Sequence, residues 1–402
     1  MRACVTSGTC LVFEPNSAMS NAPNEHRENR RCASASYGEM RMKPTIQLPA
    51  VFLMLTTALF AASPDCARPD KVTLQLKWVP QAQFAGYYAA QDLGHYKDEC
   101  LDVTIRPGGL PIEPEEVVGK GEAHFGIAWQ PGMLAARDRG VPLKAIAQVF
   151  QYSGMRLLSW KQSDIRSAFD LRGKKVAVWL AGNELELLAT LAKHGLDPKT
   201  DVTIVPESLD MDLFLQHKVD AAAAMSYNEL AQVLETVDPT TGNLYNSSDL
   251  NVIDFNQEGT AMLEDRIIVT DDWIKSAKNQ DIAVRFLRAS IKGWIYCRDH
   301  PDDALQIVLK NAPTLGKSHQ AWQLNEINRL IWPSPQGIGM MNAQRWLDTV
   351  RIAHRYGVTK NLADLSAYTN EFVQKALDSL KDTDTKGLGW KPKAVTLLGR
   401  GQ

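Results

Sequence analysis

The sequence predicts an α/β protein of two lobes, each a parallel-rich sheet flanked by helices, with a ligand cleft between the lobes. Three observations predict it. Short apolar strands alternate with helical segments through residues 72–148; the alternation restarts near Ile165; and two apolar segments, 156–161 and 265–269, read as crossings between the two runs. In an alternating pattern of this kind the sheets are open and mostly parallel, with helices on both faces.

Each element has its own signal. In the first run, 72–77, Leu101–Arg106, 124–129 and Leu143–Gln148 are short apolar stretches bounded by Gly, Pro or charged residues, the mark of strands. Between them, 84–93, 112–120 and 133–139 read as helices, the first and third closed by Gly94 and Gly140. The second run repeats the scheme, with strands at 175–179, 202–205 and in KVDAAAAM, and helices at 184–194, 211–216 and after the SYNEL elbow. Beyond Val269 the chain turns helical at 272–278, 282–298, 301–309, Lys317–Ile331, 342–356 and 366–380, punctuated by Pro301 and Pro333. The expected organisation is an upstream segment 1–67, a first lobe formed by 68–161 and 265–402, and a second lobe at 162–264.

Of the 402 residues, 45% are apolar and 22% charged, and the net charge is −2. Such a chain has no broad basic field for nucleic acid or an anionic membrane. Arg41 and Lys43 precede an uncharged apolar stretch, 46–62, followed by small residues and a polar region from Asp65; this reads as a secretory signal peptide starting at Met40 or Met42. Residues 1–39 are polar and Arg-rich and are set apart from the fold. Export places the protein in the periplasm, with or without a lipid tether at Cys66. It leaves Cys100 and Cys297 in the body, either as a disulfide or as two thiols. Cys4, Cys10 and Cys32 precede the signal.

Ligands of open parallel sheets sit beyond the carboxyl ends of the strands. The first strand ends in KWVPQAQFAGYYAA, which brings Trp78, Gln81, Gln83, Phe84 and Tyr87 within a few residues. The second delivers RPGG, with Pro107 to Gly109 beyond the strand, and the third Trp129 and Gln130. In the second lobe, VWLAGNE delivers Trp179, Gly182 and Asn183, and AMSYNEL delivers Tyr227 and Glu229. Indoles and phenols offer flat apolar faces with a polar edge, and amides and a carboxylate supply directional hydrogen bonds. Any one of these tryptophans reads equally well as a core residue that ends a strand. Three at three strand ends favour a pocket for a flat heteroaromatic ligand.

Catalytic signals are thin. No phosphate loop, GxSxG, HExxH or CxxC occurs, and His95, His124, His194, His217, His300, His319 and His354 are scattered without a partner at metal-ligand spacing. No catalytic residue, metal or cofactor is expected.

At these strand ends the sequence resembles a known family. VTLQLKWVPQAQFAGYYAA, GEAHFGIAWQPGMLAARDRGVPLKAIA, DLRGKKVAVW and VDAAAAMSYNEL are similar to the thiamine-pyrimidine precursor binding proteins, which are related to sulfonate- and nitrate-binding proteins. The resemblance spans roughly residues 71–356. DLRGKKV and GxAxFG speak to fold alone, whereas KWVPQAQFAGYY and YNEL point to the heteroaromatic-ligand branch. The resemblance implies a type II-like periplasmic binding protein. It implies a formylaminopyrimidine or hydroxymethylpyrimidine ligand, ABC permease subunits in the inner membrane as partners, a monomer, and no nucleic acid. Close relatives bind riboflavin. Others are synthases that make the pyrimidine from pyridoxal phosphate and a histidine of their own. Gly132 stands here where those enzymes have the donor histidine, and 259–263 (GTAML) where they have a Cys-rich run. In the expected site Trp78 stacks on the ring and Trp129 and Trp179 form further walls. Gln81, Gln83 and Asn183 orient the ring edge, and Glu229 with Tyr227 meets an amino group.

Overall fold

The computed structural model describes Cys66 and residues 68–402 other than 181, 182 and 364. The expected signal segment, Met40, Met42, the three upstream cysteines and Gly182 lie outside the described residues. The chain begins with β1 (Asp70–Gln75), α1 (Ala85–Asp92), a single turn α2 (His95–Asp98), β2 (Leu101–Arg106), α3 (Pro114–Gly119), β3 (Phe125–Ala128), α4 (Gln130–Asp138) and β4 (Leu143–Gln148). It continues through β5 (Met155–Trp160), β6 (Lys175–Val178), α5 (Leu185–Lys193), β7 (Thr203–Pro206), α6 (Asp212–Leu215), β8 (Ala221–Met225), α7 (Glu229–Leu234), β9 (Leu250–Asp254) and α8 (Phe255–Glu258). After β10 (Arg266–Thr270) come α9 (Ala277–Asp299), α10 (Pro301–Asn311), α11 (Lys317–Ile331), α12 (Ala343–Arg355) and α13 (Glu371–Asp378).

Two five-stranded sheets result, ordered β2-β1-β3-β10-β4 and β7-β6-β8-β5-β9. In each, three strands pair in parallel and one runs against both its neighbours: β10 in the first and β5 in the second. The antiparallel strand is the one that has just arrived from the other sheet. The segment 156–161, expected as a bare crossing, is therefore strand β5, held between β8 and β9; the connecting chain lies before Met155. The return segment is likewise a strand, β10.

The strands adopt their form through burial as much as propensity. β8, AAAAM, is a helix-favouring composition, yet every residue in it is buried. Helices cover both faces of the sheet, and small side chains let them approach closely; tertiary packing overrides the intrinsic preference. Strand β9 escapes the sequence reading because Asn251 and Asp254 interrupt its apolar residues. Conversely, 272–298 forms a 3₁₀ turn, Trp273–Lys275, followed by one unbroken helix, α9.

Helix α9 packs along α1, directly behind the loop that carries Trp78 to Gln83. The approach is close enough that a methyl group added at Gly293 would lie 2.0 Å from the carbonyl oxygen of Gly86, and one at Gly86 would meet the Trp294 indole at 2.2 Å. Tyr87 stands edge-on to Trp294 at 5.6 Å, and Phe286 stacks on Phe125 at 4.0 Å.

The expected choice for Cys100 is resolved differently from the pairing considered. Cys100 forms a disulfide with Cys66, while Cys297 is a free thiol buried in α9. Burial pushes the Cys297 thiol far above its ordinary range. The two cysteines at the start of the body are neighbours because Asp70 pairs with Leu101 at the foot of β1 and β2. A lipid thioether at Cys66 and this disulfide are mutually exclusive.

The Gly293–Gly86 contact is backbone against backbone, so no rotamer change can relieve it. Gly293→Ala is expected to destabilise the protein by about 1–3 kcal/mol, read as a lower urea midpoint; an unchanged midpoint would show that α1 and α9 can separate at no cost.

Candidate ligand-binding site

Four strand ends converge between the sheets. The loop after β1 supplies Lys77, Trp78, Gln81 and Gln83, and the end of β3 supplies Trp129. Facing them, the loop after β6 supplies Trp179 and Asn183, and the elbow after β8 supplies Met225, Tyr227, Asn228 and Glu229. Together they line a slot with about 330 Å³ of empty space. Because β1 neighbours β3 and β6 neighbours β8, adjacent parallel strands end at the same level and present the two walls opposite one another. The RPGG turn does not reach the slot. Its Gly108 and Gly109 amides donate to the carbonyls of Trp78 and Lys77 at 2.9 and 3.2 Å, bracing the loop from behind.

One carboxyl organises the first wall. Asp265, the residue before β10, is 2% exposed and sits at φ 45°, a left-handed conformation that Asp adopts more readily than most residues. Its Oδ1 accepts from Trp129 Nε1 at 3.0 Å, and its two oxygens accept from Gln83 Nε2 at 3.1 and 2.9 Å. Gln83 Oε1 accepts in turn from Gln81 Nε2 at 2.9 Å. The chain of bonds sets the indole plane of Trp129 and the orientation of both amides. Burial pushes the Asp265 carboxyl up to about 7, opposed by the Gln83 and Trp129 donors and the charge of Lys77. Lys77 Nζ lies 5.5 Å from the centre of the Trp129 ring.

In the second wall Trp179 Nε1 donates to the Ser208 carbonyl at 2.6 Å, which fixes its face toward the slot. Glu229, at the first turn of α7, is 2% exposed. Its Oε2 accepts from the Met225 amide at 3.0 Å and its Oε1 from Asn228 Nδ2. Burial pushes this carboxyl up to about 7 against those donors. The Asn183 carbonyl oxygen is buried and has no hydrogen-bond partner among the described residues. Behind the wall Glu207 is buried with neither oxygen partnered, and burial, with Glu229 nearby, holds its carboxyl well above the usual range.

Beneath the slot the two crossings are clasped together. Glu264 Oε1 accepts from Ser153 Oγ at 2.6 Å and from the amides of Gly154 and Met155 at 2.8 and 3.3 Å, joining the start of β10 to the start of β5. Glu186 of α5 accepts from the Met262 amide at 2.5 Å and lies 3.2 Å from the same Ser153 hydroxyl. Burial raises the Glu264 carboxyl to about 8 and that of Glu186 well above its ordinary value.

Of the residues expected at the site, Trp78, Gln81, Gln83, Trp129, Trp179, Asn183, Tyr227 and Glu229 line the slot. Phe84, Tyr87 and Gln130 do not. Phe84 is wholly buried, and Tyr87 is part of the α1–α9 contact. Tyr87 is therefore explained by helix packing and Phe84 by core burial. Gln130 serves a buried guanidinium: its Oε1 accepts from Arg266 Nη2 at 2.6 Å and its Nε2 donates to the Trp346 carbonyl at 3.2 Å, while Arg266 lies 4.8 Å over the Trp346 ring. Met225 and Asn228 come from the AMSYNEL strand end that the sequence had already singled out, whereas sequence reasoning passed over Lys77, and over Asp265 and Glu264 beneath. The last two had a legible signal, an acid pair placed directly before an apolar strand. Among the described residues no cluster of His, Cys, Asp and Glu could hold a metal ion, and no helix is long and apolar enough to cross a membrane.

Two sheets joined by paired crossings, with a slot at facing strand ends, define the periplasmic-binding-protein fold. The chain superposes on the periplasmic aliphatic sulphonate-binding protein of Escherichia coli with a TM-score of 0.55, covering 82% of this chain and 94% of that one at 16% identity. On the periplasmic nitrate-binding protein of Synechocystis PCC 6803 the TM-score is 0.54, over 80% and 91% of the two chains at 14% identity. The chain belongs to the NMT1/THI5-like family, whose sequence profile matches residues 81–304. It is similar to the riboflavin-binding protein of Chloroflexus aurantiacus, 24% identical over 82% of this chain and 97% of the relative. It is also similar to the formylaminopyrimidine-binding protein of Halalkalibacterium halodurans, 22% identical over 68% and 80%. A 4-amino-5-hydroxymethyl-2-methylpyrimidine phosphate synthase of Saccharomyces cerevisiae is 26% identical, but over 41% of this chain and 49% of the enzyme.

The buried acids make stability pH-dependent. Asp265, Glu229 and Glu264 are raised to about 7, 7 and 8 from ordinary values near 4, so the folded state binds protons that the unfolded chain releases. Their contribution is complete below about pH 4 and is lost as pH rises through 7 to 8. The melting temperature of the ligand-free protein is expected to fall between pH 5 and pH 8.5, and Glu264→Gln to flatten that decline. A melting temperature that is level or rises over this range would contradict the assignment.

Proposed function

We propose that this protein captures a flat nitrogen heterocycle of the thiamine-pyrimidine class, hydroxymethylpyrimidine or formylaminopyrimidine, outside the cytoplasm. It acts as a monomer and hands the ligand to the permease of an ABC importer. The observation that carries the reading is the slot itself: three indoles from three strand ends, with acceptors converging at one edge. Trp78 stacks on the ring, with Trp129 and Trp179 as the other walls. Gln81, Gln83 and Asn183 meet the ring edge. Glu229, flanked by Tyr227, accepts from an amino group, for which the partnerless Asn183 oxygen is a second acceptor. Small anions are disfavoured, because Lys77 is the one cation in the lining and the Asp265 and Glu229 carboxyls oppose negative charge.

Several features favour carriage over catalysis. At Gly132, where related synthases have their donor histidine, an added methyl group would meet Glu115 Oε1 of α3 at 2.5 Å, and the position is not among those lining the slot. The 259–263 segment lacks cysteine. The Cys66–Cys100 disulfide suits an oxidising compartment, in keeping with export. The two sheet units then act as lobes that close over the ligand by bending at the crossings.

A riboflavin reading is favoured by the breadth of one relationship, the riboflavin-binding relative being matched over 97% of its length. A groove of about 390 Å³ also shares Trp78, Gln81 and Asn228 with the slot, so a longer ligand could extend into it. Calorimetric titration with hydroxymethylpyrimidine, formylaminopyrimidine and riboflavin separates the readings. The pyrimidines are expected to bind reversibly and more tightly than riboflavin, and the reverse order would transfer the assignment to the flavin.

Two substitutions test the roles. Trp78→Ala should weaken pyrimidine binding by about 1–3 kcal/mol, roughly 5- to 150-fold, the usual worth of an aromatic stacked on a base; unchanged affinity rejects the stacking role. Glu229→Gln should weaken an aminopyrimidine far more than its analogue lacking the amine, because only the amine depends on the carboxylate. Equal losses for the two would remove Glu229 from ligand contact.

A further inference from the structure

Helix α11 ties the two walls of the slot together. On one side Gln320 Oε1 and Gln323 Oε1 both accept from the Ala82 amide, at 2.8 and 2.9 Å, in the turn that carries Gln81 and Gln83. On the other, Trp322 Nε1 donates to the Ser226 carbonyl at 3.1 Å, and His319 reaches the elbow and helix α7. His319 Nδ1 lies 2.9 Å from Glu235 Oε2, and His319 Nε2 lies 2.9 Å from Asn228 Oδ1. Asn228 Nδ2 then donates to Glu229 Oε1. Glu235, Asn228 and Glu229 are all buried, and His319 lines the outer groove that shares Trp78, Gln81 and Asn228 with the slot. The result is a continuous carboxylate–imidazole–amide–carboxyl row running from groove to ligand site.

We propose that His319 is a positioning residue for ligand capture, which sets the orientation of Asn228 and through it the readiness of Glu229 to accept from a ligand. This rests on the Glu229 role proposed above. Both ring nitrogens face oxygen atoms, an arrangement in which an imidazolium donates at both. With Nε2–H present, the Asn228 oxygen turns to His319, where Gln323 Nε2 also donates at 3.4 Å, and the Asn228 NH2 turns to an ionised Glu229. When His319 loses its second proton it keeps Nδ1–H on Glu235, and its Nε2 lone pair then faces the amide oxygen. The amide reverses, its oxygen now faces the ionised Glu229 Oε1, and the two acceptors repel, so the carboxylate loses the orientation that the Asn228 NH2 had given it. The charged groups around the row are Glu235 of α7, Glu207 behind Glu229, Asp210 and Arg400 at the groove rim, and Lys77 and Asp265 across the slot. The positive charge of His319 favours the ionised form of Glu229, and by reciprocity an ionised Glu229 favours the imidazolium.

The test has two arms on the purified protein. In the first, the His319 ring nitrogens of the ligand-free protein are followed by NMR against pH. Glu229→Gln is expected to lower the His319 midpoint, since it removes the charge at the far end of the row. A midpoint unchanged by Glu229→Gln overturns the proposal, whatever the ligand proves to be. In the second, affinity for hydroxymethylpyrimidine is measured against pH. The wild type should show a bell, rising as Glu229 ionises and falling as His319 deprotonates. His319→Gln keeps a pH-independent donor for Asn228 and should abolish the alkaline limb while retaining binding within about threefold; His319→Ala should bind about tenfold more weakly. An alkaline limb that persists in His319→Gln refutes the relay. A wild type that binds no pyrimidine at any pH defeats the proposed ligand class, and the imidazole titration alone then decides the relay.

Discussion

Glu264 and Asp265 stand where the chain returns to its first sheet, and the fold and the slot are both arranged around them. Glu264 accepts the amides at the end of the outgoing crossing, so the two connections between the sheets are held as one unit. Asp265, its neighbour, points the other way and orders Trp129 and Gln83 in the slot. Burying two adjacent carboxyls is costly unless they are protonated or well supplied with donors, and here both conditions apply. The paired crossings are consequently joined to the first wall of the slot through one peptide unit, Glu264 to Asp265.

The slot differs in chemistry from what its fold neighbours suggest. Sulphonate and nitrate are anions, and a site for them needs cations or free amides. Here the acids outnumber the single lysine, and each carboxyl in or under the lining is displaced upward by burial. What the lining offers is aromatic surface and acceptors, which fits a neutral or amino-bearing ring. The fold positions strand ends; the side chains placed there decide the ligand.

Much of this was legible in the sequence, for identifiable reasons. Strands Leu101–Arg106 and Leu143–Gln148 and helix Lys317–Ile331 have clean apolar patterns and turn residues at their ends, and they form as expected. The three tryptophans could be placed because a strand end is a local feature and an indole there is conspicuous. Phe84, Tyr87 and Gln130 lie outside the slot because adjacency in sequence to a slot residue does not fix direction: α1 turns Tyr87 toward Trp294 of α9, and Gln130 turns to Arg266. Segment 156–161 was read as a connection because strand pairing is non-local, and β5 finds its partners 60 or more residues later, at Met225 and Asp254. The Cys66–Cys100 bond and the position of His319 between Asn228 and Glu235 are of the same kind. They depend on which distant segments meet, and no local pattern carries that information.

A crystal structure of the protein with hydroxymethylpyrimidine would bear most directly on the central claim, that both sheets close on a flat ring at their facing strand ends. The account predicts the ring lying against Trp78 within the slot, its amino group at Glu229 and Asn183, with contacts from both walls. A ligand held in the outer groove, or touching one wall alone with Glu229 unengaged, would contradict it.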